Sequence, residues 1–190
     1  MTPSTHDQDG MRLVRSFPMP GLLVANAYRE LDTAANGTEA KREPLGDLRL
    51  LPRPWEPASC RSPNLRKQVW EWLDAVVVWL NVEYAWDVTD LIPECWPHHP
   101  HLIHEIAVLA DRRRRAAYAF DSDLLHEWHH STLPAFIDRM RARIKNHCEE
   151  NHQPWPARGR HARHLGPRST DSRRATFAAD LHDSERVNRD

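Results

Sequence analysis

Several absences limit what this 190-residue chain can be. Its three cysteines, Cys60, Cys95 and Cys148, are too few and too widely spaced for a disulfide framework, so we expect thiols or metal ligands. Its longest apolar run, Ala75–Leu80, is far shorter than the roughly 18–20 residues that a membrane-spanning helix needs. The polar N-terminus lacks the apolar core of a signal peptide, and no glycine-rich phosphate-binding loop is present. These absences predict a cytoplasmic protein without membrane contact.

A strong excess of positive charge is also missing. The formal net charge is −1, but it averages three unlike regions. Residues 1–60 carry 7 basic and 8 acidic side chains, residues 61–150 carry 11 and 14, and residues 151–190 carry 8 and 5. Strong non-specific binding to nucleic acid needs many Lys and Arg contacts with phosphates. The acidic middle region therefore favours a protein partner, and the basic C-terminal tail is the route by which the chain would contact DNA.

Apolar residues at helical spacing predict three long helices in the middle of the chain. The first begins at Asn64, a good N-cap residue. The third must kink or split at Pro134, because proline removes a backbone donor and clashes with the preceding turn. The second and third helices should form an antiparallel hairpin that turns near residue 121. The predicted helices cover Asn64–Tyr84, Pro100–Phe120 and residues 122–147.

Composition separates this helical middle from both ends. Residues 21–37 fit a short helix that stops at Gly37, whereas the prolines between residues 38 and 63 exclude a long helix and indicate a linker. After residue 152 large apolar residues are scarce, as in disordered chains. We therefore predict a weakly ordered N-terminal region and proline-rich linker at 1–62, an all-α domain of three or four helices at 63–152, and a basic disordered tail at 153–190.

Two cysteine–histidine pairs mark the open end of the predicted hairpin. Cys95 lies four residues before His99, and Cys148 lies four residues before His152. Positions equally far from the turn of an antiparallel hairpin lie side by side, so the two pairs should meet. Two thiolates and two imidazoles are the ligands of a closed tetrahedral zinc site. In the alternative reading, the cysteines are small buried residues and the histidines lie at helix ends.

The sequence HEWHH at 126–130 matches the H-E-x-x-H motif of zinc metalloproteases. In such an enzyme His126 and His130 would bind the metal, Glu127 would polarise the attacking water, and Glu150 would supply a third ligand. The motif predicts a metal-dependent hydrolase as the alternative to a binding protein. In the alternative reading, the match arises by chance in a chain with thirteen histidines. The stretch is then a solvated helix face with its tryptophan in the core.

Two arginine-rich stretches are candidates for phosphate contact. Successive helical residues point around the whole helix, so Arg112–Arg115 fits a solvated helix end better than a flat anion-binding patch. The basic tail predicts contact with DNA or an acidic partner, or else a solubilising disordered segment. The tail arginines concerned are Arg158, Arg160, Arg163, Arg168, Arg173 and Arg174.

One run of residues resembles a known group of proteins. The stretch IPECWPHH at Ile92–His99 is followed by LIHEI at Leu102–Ile106 and by Cys148 with a histidine a few residues later. Over residues 65–152 the chain resembles small uncharacterised proteins of actinobacteria whose genes lie near plasmid, integrative-element or phage genes. The positions that carry the resemblance include Cys95, Trp96, His99, Ala117, Tyr118, Trp128, His129, Leu133 and Cys148.

This resemblance implies a helical domain of unknown function and a role in the maintenance, transfer or regulation of mobile elements. It implies no catalytic residues. Together with the acidic middle region, it leads us to expect a non-enzymatic accessory or interaction protein that binds a protein partner or DNA. Zinc is the metal we expect, and the metal-dependent hydrolase is the competing hypothesis.

Overall fold

The computed structural model describes residues 13–145, 147–148, 152 and 166–187, with side chains described as far as residue 182. Within these residues the chain forms helices and turns and no strand, which confirms the predicted all-α fold. None of the helices so described is long and apolar enough to cross a membrane. The α-helices are α1 (Leu22–Asn36), α2 (Glu39–Arg42), α3 (Pro63–Glu83), α4 (Pro100–Ala117), α5 (Asp123–Glu127), α6 (Leu133–Ile144) and α7 (Pro167–Val187).

Helix α3 supplies the largest part of the core. Its N-cap lies two residues earlier than the predicted Asn64: Ser62 is the N-cap residue and Pro63 takes the first helical position, where a missing N–H costs nothing. Its buried residues recur at helical spacing and form a wide apolar face, as the sequence pattern indicated. These residues are Leu65, Val69, Trp72, Leu73, Val76, Val77, Trp79 and Leu80.

The N-terminal segment packs on α3 instead of standing apart from the helical domain. The indole N–H of Trp72 donates to the carbonyl of Pro18 at 2.9 Å, and that of Trp79 donates to the carbonyl of Arg15 at 3.0 Å. The buried ring of Phe17 lies edge-on to Trp79, with ring centroids 5.2 Å apart. Because the acceptors are backbone carbonyls, the residue types of that segment did not reveal this docking.

Helix α1 and the proline-rich stretch also belong to the core. Helix α1 ends at Asn36, as predicted, and a Cβ on Gly37 would lie 2.5 Å from the carbonyl oxygen of Thr33, so only glycine fits there. The prolines exclude a long helix, but they do not prevent packing. Pro54 and Pro57 are fully buried, and Trp55 stacks on Tyr28 of α1 with ring centroids 5.9 Å apart.

Helix α4 packs against the helices that follow it. The indole N–H of Trp128 donates to the carbonyl of Leu109 at 3.2 Å, in the buried core. Nearer the start of α4, Glu105 accepts from Arg139 at 2.7 Å and from Arg143 at 2.6 Å, both on α6. These contacts join α4 to α6, whereas the antiparallel direction of the hairpin stays a prediction.

The predicted break at Pro134 takes the form of a π-helical turn. Residues Trp128–Thr132 connect α5 to α6, and the N–H of Leu133 donates to the carbonyl of Trp128, five residues back. Proline at the second position of α6 has no N–H to continue the α-helical pattern and crowds the preceding turn. The wider π-helical turn accommodates it while α5 and α6 continue in sequence.

The arginine run Arg112–Arg115 is less solvated than the sequence predicted. The guanidinium of Arg113 lies over the rings of Phe17, Trp79 and Trp128, at 5.2, 5.6 and 5.7 Å from their centroids. Arg114 pairs with Asp111 at 3.0 Å. The cation is attracted by the negative faces of the aromatic rings, which explains how Arg113 is half-buried among apolar groups.

Helix α7 lies in the predicted disordered tail and belongs to a second compact unit. Its residues from 171 to 182 are all exposed, including Phe177 and Leu181. The scarcity of apolar residues predicted a mostly disordered tail in which a transient helix over Ser172–Val187 was possible, because residues such as Ala and Arg favour helix locally without a core. Residues 153–165, with Arg158, Arg160 and Arg163, lie outside the described residues.

Substitution of Phe17 tests the docking of the N-terminal segment. We expect Phe17→Ala to lower the free energy of unfolding by about 3 kcal/mol, because it removes a buried ring that contacts Trp79 and Arg113. Urea denaturation followed by tryptophan fluorescence measures the change. Leu13→Ala is the matched control, since Leu13 is almost fully exposed. Equal stability of the two variants would contradict this packing.

Candidate metal centre

The loop before α4 is held to α3 by one asparagine. The side-chain amide of Asn81 donates to the carbonyl of Ile92 at 3.0 Å, and its oxygen accepts from the N–H of Ile92 at 2.9 Å. Ile92 and Trp96 are buried on the core. Asn81 was not among the predicted site residues, because its role depends on a backbone eleven residues away. It positions the segment that carries Cys95.

A tight turn brings the first cysteine and histidine together. The N–H of His98 donates to the carbonyl of Cys95 at 2.9 Å, and the N–H of His99 donates to that of Trp96 at 3.1 Å. His99 then takes the N-cap position of α4. With this geometry the Cys-x3-His spacing places Cys95 Sγ 3.3 Å from His99 Nε2, and both residues are buried.

The second cysteine approaches the same imidazole from the end of α6. That helix stops at Lys145, whose φ of 51° and ψ of −132° are rare for a residue other than glycine. The turn after α6 directs Cys148 towards the loop, and Cys148 Sγ lies 3.4 Å from His99 Nε2. Glu105 and the ion pair between Arg141 and Asp90 hold α6 in place.

The four residues that the sequence paired lie in one cluster. The ligand atoms of Cys95, His99, Cys148 and His152 all lie within 4.8 Å of one another, so this set could hold a metal ion. Cys95 and His99 are buried, Cys148 is half-buried and His152 is exposed. Two sulfur and two nitrogen ligands suit a tetrahedral site for zinc better than the oxygen-rich sites of magnesium or calcium.

The environment of Cys95 keeps its thiol protonated when no cation is bound. Burial is the main cause, and the neighbouring Cys148 adds to it, so that the pKa of Cys95 rises to about 11. A metal cation reverses this preference, because a coordinating thiol is deprotonated outright. A metal cation that binds at this site therefore replaces the thiol proton of Cys95.

The HEWHH stretch is arranged differently. His126 and His130 lie on the exposed face of the helix with ring centroids 4.1 Å apart, and Glu127 forms an ion pair with Arg112 at 3.1 Å. Among the residues that the structure describes, these side chains belong to no group of three or more metal ligands. Glu150, the predicted third ligand, lies outside those residues, so the hydrolase reading stays a prediction.

No protein-family model, curated protein or solved structure matches the chain. The resemblance to proteins of actinobacterial mobile elements thus stays a prediction, and the chemistry of the site has to be argued from its own geometry.

Binding of a metal cation at this cluster should be strongly pH-dependent. Cys95 is protonated below its pKa of about 11, so binding at neutral pH must release its proton. We expect the affinity to rise with pH by at least about tenfold per unit between pH 6 and 8, the contribution of one released proton. Calorimetry of zinc addition to metal-free protein in buffers of different ionisation enthalpy counts the protons. Binding without proton release would contradict thiolate coordination by Cys95.

Proposed function

We propose that this protein is a non-enzymatic interaction protein whose helical domain is stabilised by one zinc ion at Cys95, His99, Cys148 and His152. The observation that carries the proposal is the convergence of these four ligand side chains. Four protein ligands complete a tetrahedral shell and leave no open position for water or substrate, as in structural zinc sites. A structural ion would tie the loop before α4 to the end of α6 and contribute directly to folding.

An exposed apolar surface supports a protein partner. Val78 and Val82 lie one turn apart on α3, with 53% and 51% of their surfaces exposed, and Trp86 just beyond the helix is 99% exposed. Asp74 and Asp87 add negative charge beside them. Exposed apolar clusters and tryptophans mark protein interfaces, and this charge favours a partner with basic and apolar groups.

The biological setting of this interaction is proposed from the sequence. The stretch from Ile92 to His99 and its downstream matches resemble small proteins associated with mobile elements. We therefore propose an accessory role in the maintenance, transfer or regulation of such an element. Contact with DNA through the basic tail is the alternative mode of action.

Metal content tests the zinc site directly. We expect about one zinc per chain, by mass spectrometry, in protein purified without a metal-affinity tag, because the four ligands form a closed set. Cys95→Ser should abolish this zinc, whereas Cys60→Ser, which changes a buried cysteine outside the set, should retain it. His126→Ala should also retain it.

The same measurement separates the zinc site from the hydrolase. Loss of zinc in His126→Ala, with retention in Cys95→Ser, would support catalysis by the HEWHH stretch and contradict our proposal. The absence of zinc from the wild type and from every variant would contradict both metal sites.

DNA binding by the full chain is expected to be weak. The net charge is −1 and the basic residues of the tail exceed its acidic residues by only three, so few phosphate contacts are available. We expect a shallow dependence of affinity on salt for a short DNA duplex, measured by fluorescence anisotropy. The triple variant Arg168→Gln, Arg173→Gln, Arg174→Gln should bind no more weakly than wild type. A steep salt dependence that the triple variant loses would assign DNA binding to the tail.

A further inference from the structure

Two thiols of the candidate metal centre lie close enough to react with each other. Cys95 Sγ and Cys148 Sγ are 3.3 and 3.4 Å from the same atom, His99 Nε2, and both belong to the cluster whose ligand atoms lie within 4.8 Å of one another. A disulfide requires a sulfur–sulfur distance of about 2 Å. The two sulfur atoms, at most 4.8 Å apart, have to approach by less than about 3 Å to reach this distance.

The two cysteines differ in their access to solvent. Cys95 is buried in the turn before α4, whereas Cys148 is half-buried after the end of α6. An oxidant that enters from solvent therefore meets Cys148 first. Cys60, the third cysteine, is completely buried and lies outside the cluster, so it has neither access nor a thiol partner there.

We propose that Cys95 and Cys148 form an oxidative modification site, at which a peroxide converts the two zinc ligands into a disulfide and releases the zinc ion. This inference rests on the proposed zinc site. It assigns to that site a second role, since the occupancy of a structural ion would then report the redox state of the surroundings.

The reaction takes place in two displacements. The thiolate of Cys148 attacks one oxygen of hydrogen peroxide: an S–O bond forms, the O–O bond breaks and hydroxide leaves, which gives the sulfenic acid of Cys148. The thiolate of Cys95 then attacks that sulfur: the S–S bond forms, the S–O bond breaks and a second hydroxide leaves. The two thiolates lose two electrons, and the peroxide gains them.

Zinc release follows from the loss of the thiolate ligands. A disulfide has no thiolate charge, and His99 and His152 alone are a poor site for zinc, which binds four ligands in structural centres. A thiol reductant restores the two thiolates, and added zinc can then bind again. The modification is reversible, unlike the formation of sulfinic or sulfonic acid.

The experiment uses the full-length, zinc-loaded protein without an affinity tag. Hydrogen peroxide is added stepwise, released zinc is measured with a chromogenic chelator, and the disulfide is mapped by mass spectrometry of alkylated, unreduced peptides. We expect one zinc to be released for each Cys95–Cys148 disulfide, with recovery after a thiol reductant and zinc are added. Cys60→Ser should behave like wild type. Disulfide mapping in the wild type needs no substitution in the site.

The outcomes separate this inference from the zinc proposal. Protein that keeps its zinc in peroxide, or that loses zinc while Cys95 and Cys148 remain unlinked, contradicts the inference and leaves the zinc proposal intact. A disulfide that contains Cys60 also contradicts it. Protein that binds no zinc at all contradicts both.

Discussion

The packing of this structure depends on hydrogen bonds from the indole N–H groups of buried tryptophans to backbone carbonyls. Trp72 and Trp79 of α3 donate to carbonyls of the N-terminal segment, and Trp128 donates to the carbonyl of Leu109 in α4. Leaving a buried N–H donor unpaired costs free energy, so each hydrogen bond fixes the position of the backbone segment that supplies the acceptor. Apolar contacts alone have no direction and would let that segment shift. Two of these bonds attach residues 15–18 to α3, and the third joins the π-helical turn before α6 to α4.

The candidate metal centre is assembled from two separately anchored parts. Asn81 holds the loop that carries Cys95 and His99, and Glu105 holds α6, after which Cys148 follows. A bound ion would therefore join two parts that other contacts already hold. This arrangement puts the sulfur atoms of Cys95 and Cys148 within 4.8 Å of each other.

The surroundings of the ligand side chains distinguish the two candidate metal sites better than the spacing of these residues in the sequence does. In HEWHH the spacing matches an enzyme motif, but Glu127 pairs with Arg112 and the two histidines are exposed. The looser Cys-x3-His pairs match no short motif, yet they come together at a buried imidazole. The Cys-x3-His pairs bring together four ligand atoms, the number that a closed tetrahedral site needs, whereas the described part of HEWHH offers two imidazoles and a paired carboxylate.

The sequence by itself determined the all-α fold, the stop of α1 at Gly37, the break at Pro134 and the pairing of Cys95 and His99 with Cys148 and His152. The fold, the stop and the break follow from local rules, namely apolar spacing and the chemistry of glycine and proline, whereas the pairing was read from an antiparallel hairpin that stays a prediction. Only the tertiary structure decided that the N-terminal segment belongs to the core, that Arg113 lies among aromatic rings and that Asn81 positions the site. Each of these depends on a contact between a side chain and a backbone group or ring that is distant in the sequence. The type of a residue does not indicate which distant group its side chain will contact.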